Sequence, residues 1–175
     1  MSSNLKVSTR IALIGGGPTA LYLLQKLIQS GRRDISVTIF ERSDRVGVGM
    51  PYSRFGAEPE HVTNISWKEM PQWGEELARW LKEQDHTGMG YGPQEVMPRL
   101  VLGDFLEHLF TESRREARRR FPVQLKMRTE VLDILFRKQG FSIVTTTGSY
   151  EYDTVFICIK IQSRCFIKSQ IHFKK

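Results

Sequence analysis

Three consecutive glycines, Gly15, Gly16 and Gly17, followed by Pro18, Thr19 and Ala20, are the residues of this chain whose types and spacing most clearly suit chemistry. An apolar run at 11–14 precedes them, and an acid, Glu41, stands 24 residues beyond Gly17. The pattern suits the phosphates and ribose of a dinucleotide. Gly15 takes a tight turn without a Cβ clash. Gly17 lets the backbone come close to a pyrophosphate, so a side chain there is expected to collide with it. Ala20 holds the third position of G-x-G-x-x-G/A, where helix and strand pack closely. Gly16 lies between these residues and adds freedom without a role of its own. A helix start after the turn aims free N–H groups and a positive dipole end at an anion. A carboxylate at Glu41 accepts hydrogen bonds from ribose hydroxyls and repels a 2′-phosphate, which disfavours NADP at this site. The alternative for the glycines alone is a strand-to-helix connection that needs them only sterically.

The elements that must position these residues follow from periodicity. Residues 11–14 read as a strand buried on both faces. Pro18 suits the first helical turn, because its missing N–H costs little there. The helix runs to about Ser30, with Ala20, Leu21, Leu24, Leu27 and Ile28 as its buried stripe and Gly31 just past its end. Residues 35–40 form the second strand, and Glu41 ends it. Gly47 and Gly49, one residue apart, suggest a second loop near a ligand, with an ordinary glycine loop as the alternative.

Residues 53–71 look irregular. A helix is expected over 73–85, burying Leu77, Trp80 and Leu81, and Gly88, Gly90 and Gly92 punctuate the next loop. A longer helix over 99–120 carries Leu102, Phe105, Leu106, Leu109 and Phe110, and Pro122 closes it. Strands are expected at 123–127, 130–136 and 141–147, then a turn at Gly148-Ser149, then a strand over 152–159. Residues 155–159 are apolar throughout, which predicts a central position in the sheet. The order points to an α/β fold: a parallel sheet with an antiparallel meander insertion.

Length favours one domain, over 1–159, with 160–175 as an atypical basic tail. The net charge is +7, of which 160–175 carries +5 and the run 114–120 carries +4, leaving −2 for the rest. The chain is therefore not uniformly basic, and the arginine run reads as a solvated helix end, not a nucleic-acid surface. No apolar run approaches the roughly 18 residues of a membrane span. No secretory pattern precedes the first strand. Cys158 and Cys165 fit a reducing compartment, with the cytoplasm as the default. His61, His86, His108 and His172 show no metal-ligand spacing, and no serine-nucleophile motif is present.

The residues 15–20, Glu41-Arg42, Gly47-Val48-Gly49-Met50-Pro51-Tyr52, Asn64-Ile65-Ser66 and Pro98-Arg99-Leu100-Val101-Leu102-Gly103, in that order, resemble the N-terminal half of FAD/NAD(P)-binding flavoproteins. The nearest group is similar to bacterial proteins related to FAD-dependent hydroxylases. The resemblance covers about 9–159 and implies a Rossmann-like domain with FAD as first occupant and NAD(P)H as electron donor. It implies that Gly15, Gly17 and Ala20, with Pro18 and Thr19, carry the pyrophosphate turn. Glu41 would bind the adenosine ribose, with Arg42 beside the adenine. Gly47 and Gly49 would approach the flavin side, and Asn64 and Met70 would lie near the isoalloxazine. Arg99 would supply a positive contact, and Val131 a backbone contact to adenine. For Met70 the alternative is core packing, and for Arg99 a surface salt bridge.

The resemblance implies a monooxygenase-like oxidoreductase with an unidentified small-molecule substrate. The alternatives are a truncated, non-catalytic binding or interaction module and an NAD-binding dehydrogenase half. No membrane or nucleic-acid partner is expected. The departure is Lys160, which stands where the family has a glycine. The tail from Lys160 reads as a frameshifted or aberrantly spliced end.

Overall fold

The computed structural model describes residues 9–64, 66, 69–70, 73–84 and 96–159. His86, Gly88, Gly90, Gly92, Lys160, Cys165 and His172, named above, lie outside the described residues, as does the whole of 160–175.

Four strands form a parallel sheet: β1 (Thr9–Ile14), β2 (Ile35–Phe40), β3 (Val123–Lys126) and β7 (Thr154–Ile157), in the order β3-β2-β1-β7. Ile14 lies opposite both Phe40 and Ile157, so these strands finish level with one another. Three more strands, β4 (Val131–Phe136), β5 (Phe141–Thr145) and β6 (Gly148–Tyr152), make an antiparallel meander. The parallel sheet with its meander insertion is the expected architecture.

The period of two along the strands divides the core. Ile11, Leu13, Val37 and Ile39 face the helices α1 (Pro18–Gln29), α2 (Gly74–Glu83) and α3 (Arg99–Ala117). Ala12, Ile14 and Phe40 face the meander, where they meet Ile143 and Tyr152. On α1, Ala20, Leu21, Leu24 and Ile28 are buried at helical spacing. On α3, all five residues of the expected stripe are buried. Each such large apolar side chain contributes about 1.5–3 kcal/mol through burial. The parallel sheet is thus held from both sides, and the carboxyl ends of β1 and β2 are left to carry loops.

Three sequence expectations are corrected. Gly148 and Ser149 open β6, and the turn falls on Thr146 and Thr147. The cause is the Thr145 hydroxyl, which accepts from the Thr147 N–H and donates to the Gly148 carbonyl, closing a local turn earlier. The expected strand over 152–159 is also broken, at Asp153. Tyr152 ends β6, Thr154 begins β7, and Asp153 is tied to Arg10 at the corner. Among the described strands β7 is an edge, with Phe156 and Ile157 38% and 48% exposed. An apolar run reports that a strand can be buried on both faces, but not which neighbours cover it.

The Asp153 corner generates a prediction. Its carboxylate accepts from the Arg10 backbone N–H at 2.6 Å and pairs with the guanidinium at 3.0 Å. The Arg10 side chain and backbone amide together lower the Asp153 pKa. A lowered folded-state pKa gives stability that is present above the unfolded value and lost as pH falls through the folded one. Both side chains are substantially exposed, so solvent screening keeps the effect below about 1 kcal/mol. Urea denaturation of Asp153→Asn at pH 7 is expected to show a small loss of stability. The gap from the parent should close as the pH drops below the ordinary carboxylate range.

Candidate functional site

The glycine turn leaves the end of β1 and is fixed at each residue. Gly15 has φ +95°, and its N–H donates to the Phe40 carbonyl at 2.8 Å. A Cβ at Gly15 would lie 2.5 Å from Ile159 Cγ2 and 3.2 Å from the Cys158 carbonyl oxygen. The turn therefore passes close against the segment that follows β7. Gly16 is buried, donates its N–H to Glu41 Oε2 at 2.8 Å, and accepts from the Gly47 N–H at 2.6 Å. A Cβ there would lie 2.9 Å from Val46 Cγ2. The expectation that Gly16 only adds freedom is corrected: it joins the ends of β1 and β2 to the second glycine loop. Periodicity carries no signal for this role, which depends on residues 25 and 31 positions away.

Gly17 is the N-cap of α1 in extended backbone, and Pro18 takes the first helical turn. A Cβ on Gly17 would sit 3.2 Å from Gly49 Cα. The turn at Gly17 thus passes close to the second loop of the chain itself, so a side chain there makes the Gly49 loop give way. Helix geometry leaves the amides of Thr19 and Ala20 without intrahelical acceptors, and no side chain caps α1. Thr19 is exposed, whereas Ala20 is fully buried and serves the packing of α1 on the sheet.

Glu41 sits at the exit of β2 and is partly buried. Its two carboxylate oxygens accept from two amides, Gly16 and Ser43, each at 2.8 Å. Its backbone is zipped to the segment after β3: the Glu41 N–H donates to Lys126 O, and the Thr129 N–H donates to Glu41 O, both at 2.9 Å. The Arg128 N–H donates to Ser43 O at 3.1 Å, and Arg128 itself has φ +50°, an uncommon conformation for a side-chain-bearing residue. This zip carries Val131, the first residue of β4, to the neighbourhood of Glu41 and the exposed Arg42.

The second loop runs along α3 toward its N-terminus. Arg45 Nη2 pairs with Asp104 at 2.6 Å and Glu107 at 2.5 Å. Gly47, at φ +88°, lies where a Cβ would be 2.5 Å from the Leu106 carbonyl oxygen. Gly49, at φ +59°, packs against Pro18. Gly103 lets the Tyr52 carbonyl approach α3. One turn earlier, Arg99 opens α3, where the first turn holds no acid and no side-chain cap. Its Nε donates to Val62 O at 2.9 Å, and its N–H donates to His61 O at 2.8 Å. Asn64 is exposed two residues past Val62. Met70 is buried in the main core, which favours packing as its role.

The structure therefore brings Gly15, Gly17, Pro18, Ala20, Glu41, Gly47 and Gly49 into one cluster around Gly16. Arg42 and Val131 adjoin it at the β2–β3 side. Arg99 and Asn64 lie at the start of α3, connected to the cluster through the second loop. Among the described residues, no group of three or more His, Cys, Asp or Glu is arranged to hold a metal ion. No helix of the described residues is long and apolar enough to cross a membrane. Cys158 is buried beside the glycine turn, and burial pushes its thiol up to about 11.

Two predictions follow from this geometry. Gly31 has φ +71° and open space around it, whereas Gly47 combines positive φ with a blocked Cβ position. Gly31→Ala should cost about 1 kcal/mol from backbone strain alone. Gly47→Ala should cost at least about 2–3 kcal/mol, because backbone of α3 must move. Urea denaturation of the two variants gives the comparison. In a Cys165→Ser chain, Cys158 should stay protonated at neutral pH and react with a disulfide reagent only on unfolding.

Comparison with known proteins identifies the family and the fold. Residues 12–160 match the family described as FAD-NAD(P)-binding. A curated relative, the uncharacterized protein YdhS of Escherichia coli (strain K12), is 30% identical over 145 residues. The match takes in 78% of this chain but 27% of that protein, so the chain spans about a quarter of the relative's length. A cyclohexanone monooxygenase mutant from Rhodococcus sp. Phi1, bound to NADP+, shares the fold at TM-score 0.56 and 16% identity, over 85% of this chain and 26% of that one. S-allyl-L-cysteine S-oxygenase from Allium sativum does so at TM-score 0.56 and 16% identity, over 85% and 36%. With the Rossmann-like sheet, the glycine turn and a family match across most of its length, the chain belongs to the FAD-NAD(P)-binding family.

Proposed function

We propose that the loop cluster binds FAD and that the chain is the FAD-binding part of an NAD(P)H-dependent, monooxygenase-like oxidoreductase. The observation that carries this reading is the uncapped N-terminus of α1, set between two glycine loops with the Glu41 carboxylate at the neighbouring strand end. Free amides at Thr19 and Ala20 and the positive end of the helix suit a diphosphate. Each oxygen of Glu41 accepts one N–H, and a carboxylate has about four acceptor positions, so acceptor capacity remains for ribose hydroxyls. The residues present therefore fit the adenosine diphosphate half of FAD. The same negative charge disfavours a 2′-phosphate.

In this reading Arg42 lies beside the adenine, and the backbone at Val131 borders it. Gly47 and Gly49 keep the second loop low enough for the cofactor to pass over it. Arg99 places a positive charge at the start of α3, where the helix dipole alone disfavours a cation and an anion relieves the conflict. Asn64 supplies a polar group toward the isoalloxazine end. When FAD is bound, its isoalloxazine supplies the redox chemistry, and the protein's part is placement and electrostatics. NAD(P)H as donor is supported by the family description and by the NADP+-bound Rhodococcus neighbour.

The test is a titration of the purified chain with FAD, followed by flavin fluorescence and absorbance. FAD should bind, ADP should compete, and 2′,5′-ADP should compete more weakly. Gly17→Val should abolish binding, because the side chain displaces the Gly49 loop from the helix N-terminus. Circular dichroism establishes that the variant is folded. Unchanged FAD affinity in folded Gly17→Val contradicts the assignment.

A further inference from the structure

We infer that Glu41 also positions the phosphate end of the site, by clamping the glycine turn before any ligand arrives. This role rests on the dinucleotide reading above and adds to the ribose contact. Three consecutive glycines have more backbone freedom to lose than any other tripeptide. Something in the chain has to hold them. Glu41 Oε2 takes the Gly16 N–H, and Oε1 takes the Ser43 N–H, so the carboxylate bridges the turn and the exit of β2. That fixes the peptide between Gly15 and Gly16. The following peptide, between Gly16 and Gly17, is fixed by the Gly47 N–H on the Gly16 carbonyl. In a trans peptide the N–H lies opposite the C=O, so this bond also sets the direction of the Gly17 N–H. Both peptides leading into α1 are therefore oriented by residues outside the turn. The ribose acceptor and the turn that leads to the phosphate donors are mechanically one unit, and removing the carboxylate frees the Gly15–Gly16 peptide in front of them.

A positioning role and a simple contact role predict opposite signs for a ligand that lacks ribose. Coulomb's law says that removing a negative charge near a polyanion tightens binding. Loss of the clamp weakens it, because the turn must then be ordered on binding. The experiment uses the full chain, its Glu41→Gln variant and inorganic pyrophosphate, with amide hydrogen exchange on both ligand-free proteins. In Glu41→Gln, exchange at the Gly16 and Ser43 amides should rise about tenfold or more, as expected for loss of charge-assisted hydrogen bonds, and exchange at the Gly47 amide, whose acceptor is the Gly16 carbonyl, should rise with it. Protection at Leu13 and Ile39 should be unchanged, showing that the sheet is intact. Pyrophosphate binding should weaken by at least about fivefold. Unchanged exchange at Gly16 and Gly47, or equal or tighter pyrophosphate binding, overturns the inference. If neither pyrophosphate nor FAD binds the parent chain, the dinucleotide reading fails, and the exchange data alone decide whether Glu41 clamps the turn.

Discussion

The hydrogen bond from the Gly16 amide to Glu41 is the constraint on which the rest of this site depends. β1, β2 and α1 would pack through their apolar faces whatever followed Ile14. Packing cannot choose a conformation for three residues without side chains. The Glu41 carboxylate, the Gly47 amide and the Phe40 carbonyl make that choice, one contact for each part of the turn. The second loop is in turn held to α3 by Arg45 with Asp104 and Glu107. A continuous set of contacts thus runs from the end of β2, through Gly16, to the helix that carries Arg99.

Much of this was legible in the residues. The apolar run at 11–14, Pro18 after the glycines, and the stripes of α1 and α3 each carry a local signal, and the elements formed where those signals lie. Gly15 and Gly49 were singled out by type, and both have positive φ. The meander was recognisable because strands of alternating character are separated by turn residues. The resemblance over about 9–159 rests on the order of several motifs, of which the glycine fingerprint is generic alone, and the family match over 12–160 agrees with it.

What the sequence did not show is non-local. Gly16 looked idle because its partners, Glu41 and Gly47, are distant in the chain. Gly17 reads as a place for a ligand to approach, and its close contact with Gly49 has no signal in the local sequence. Residues 152–159 looked like one central strand, because β propensity does not register the Arg10–Asp153 corner that divides them. That β7 is an edge among the described strands escaped for a related reason: the run is apolar, and the sheet order shows which side β1 covers. Local patterns located the elements, while side-chain-to-backbone contacts between distant segments decided how the loops met.

The most direct test of the account is a backbone amide chemical-shift map of the isotope-labelled chain titrated with FAD. Saturable shifts are expected at Gly15, Gly17, Thr19, Ala20, Ser43, Gly47, Gly49 and Val131, with β6 unaffected. Shifts confined to β5 and β6 or to the arginine-rich end of α3, with the glycine loops silent, would contradict this placement.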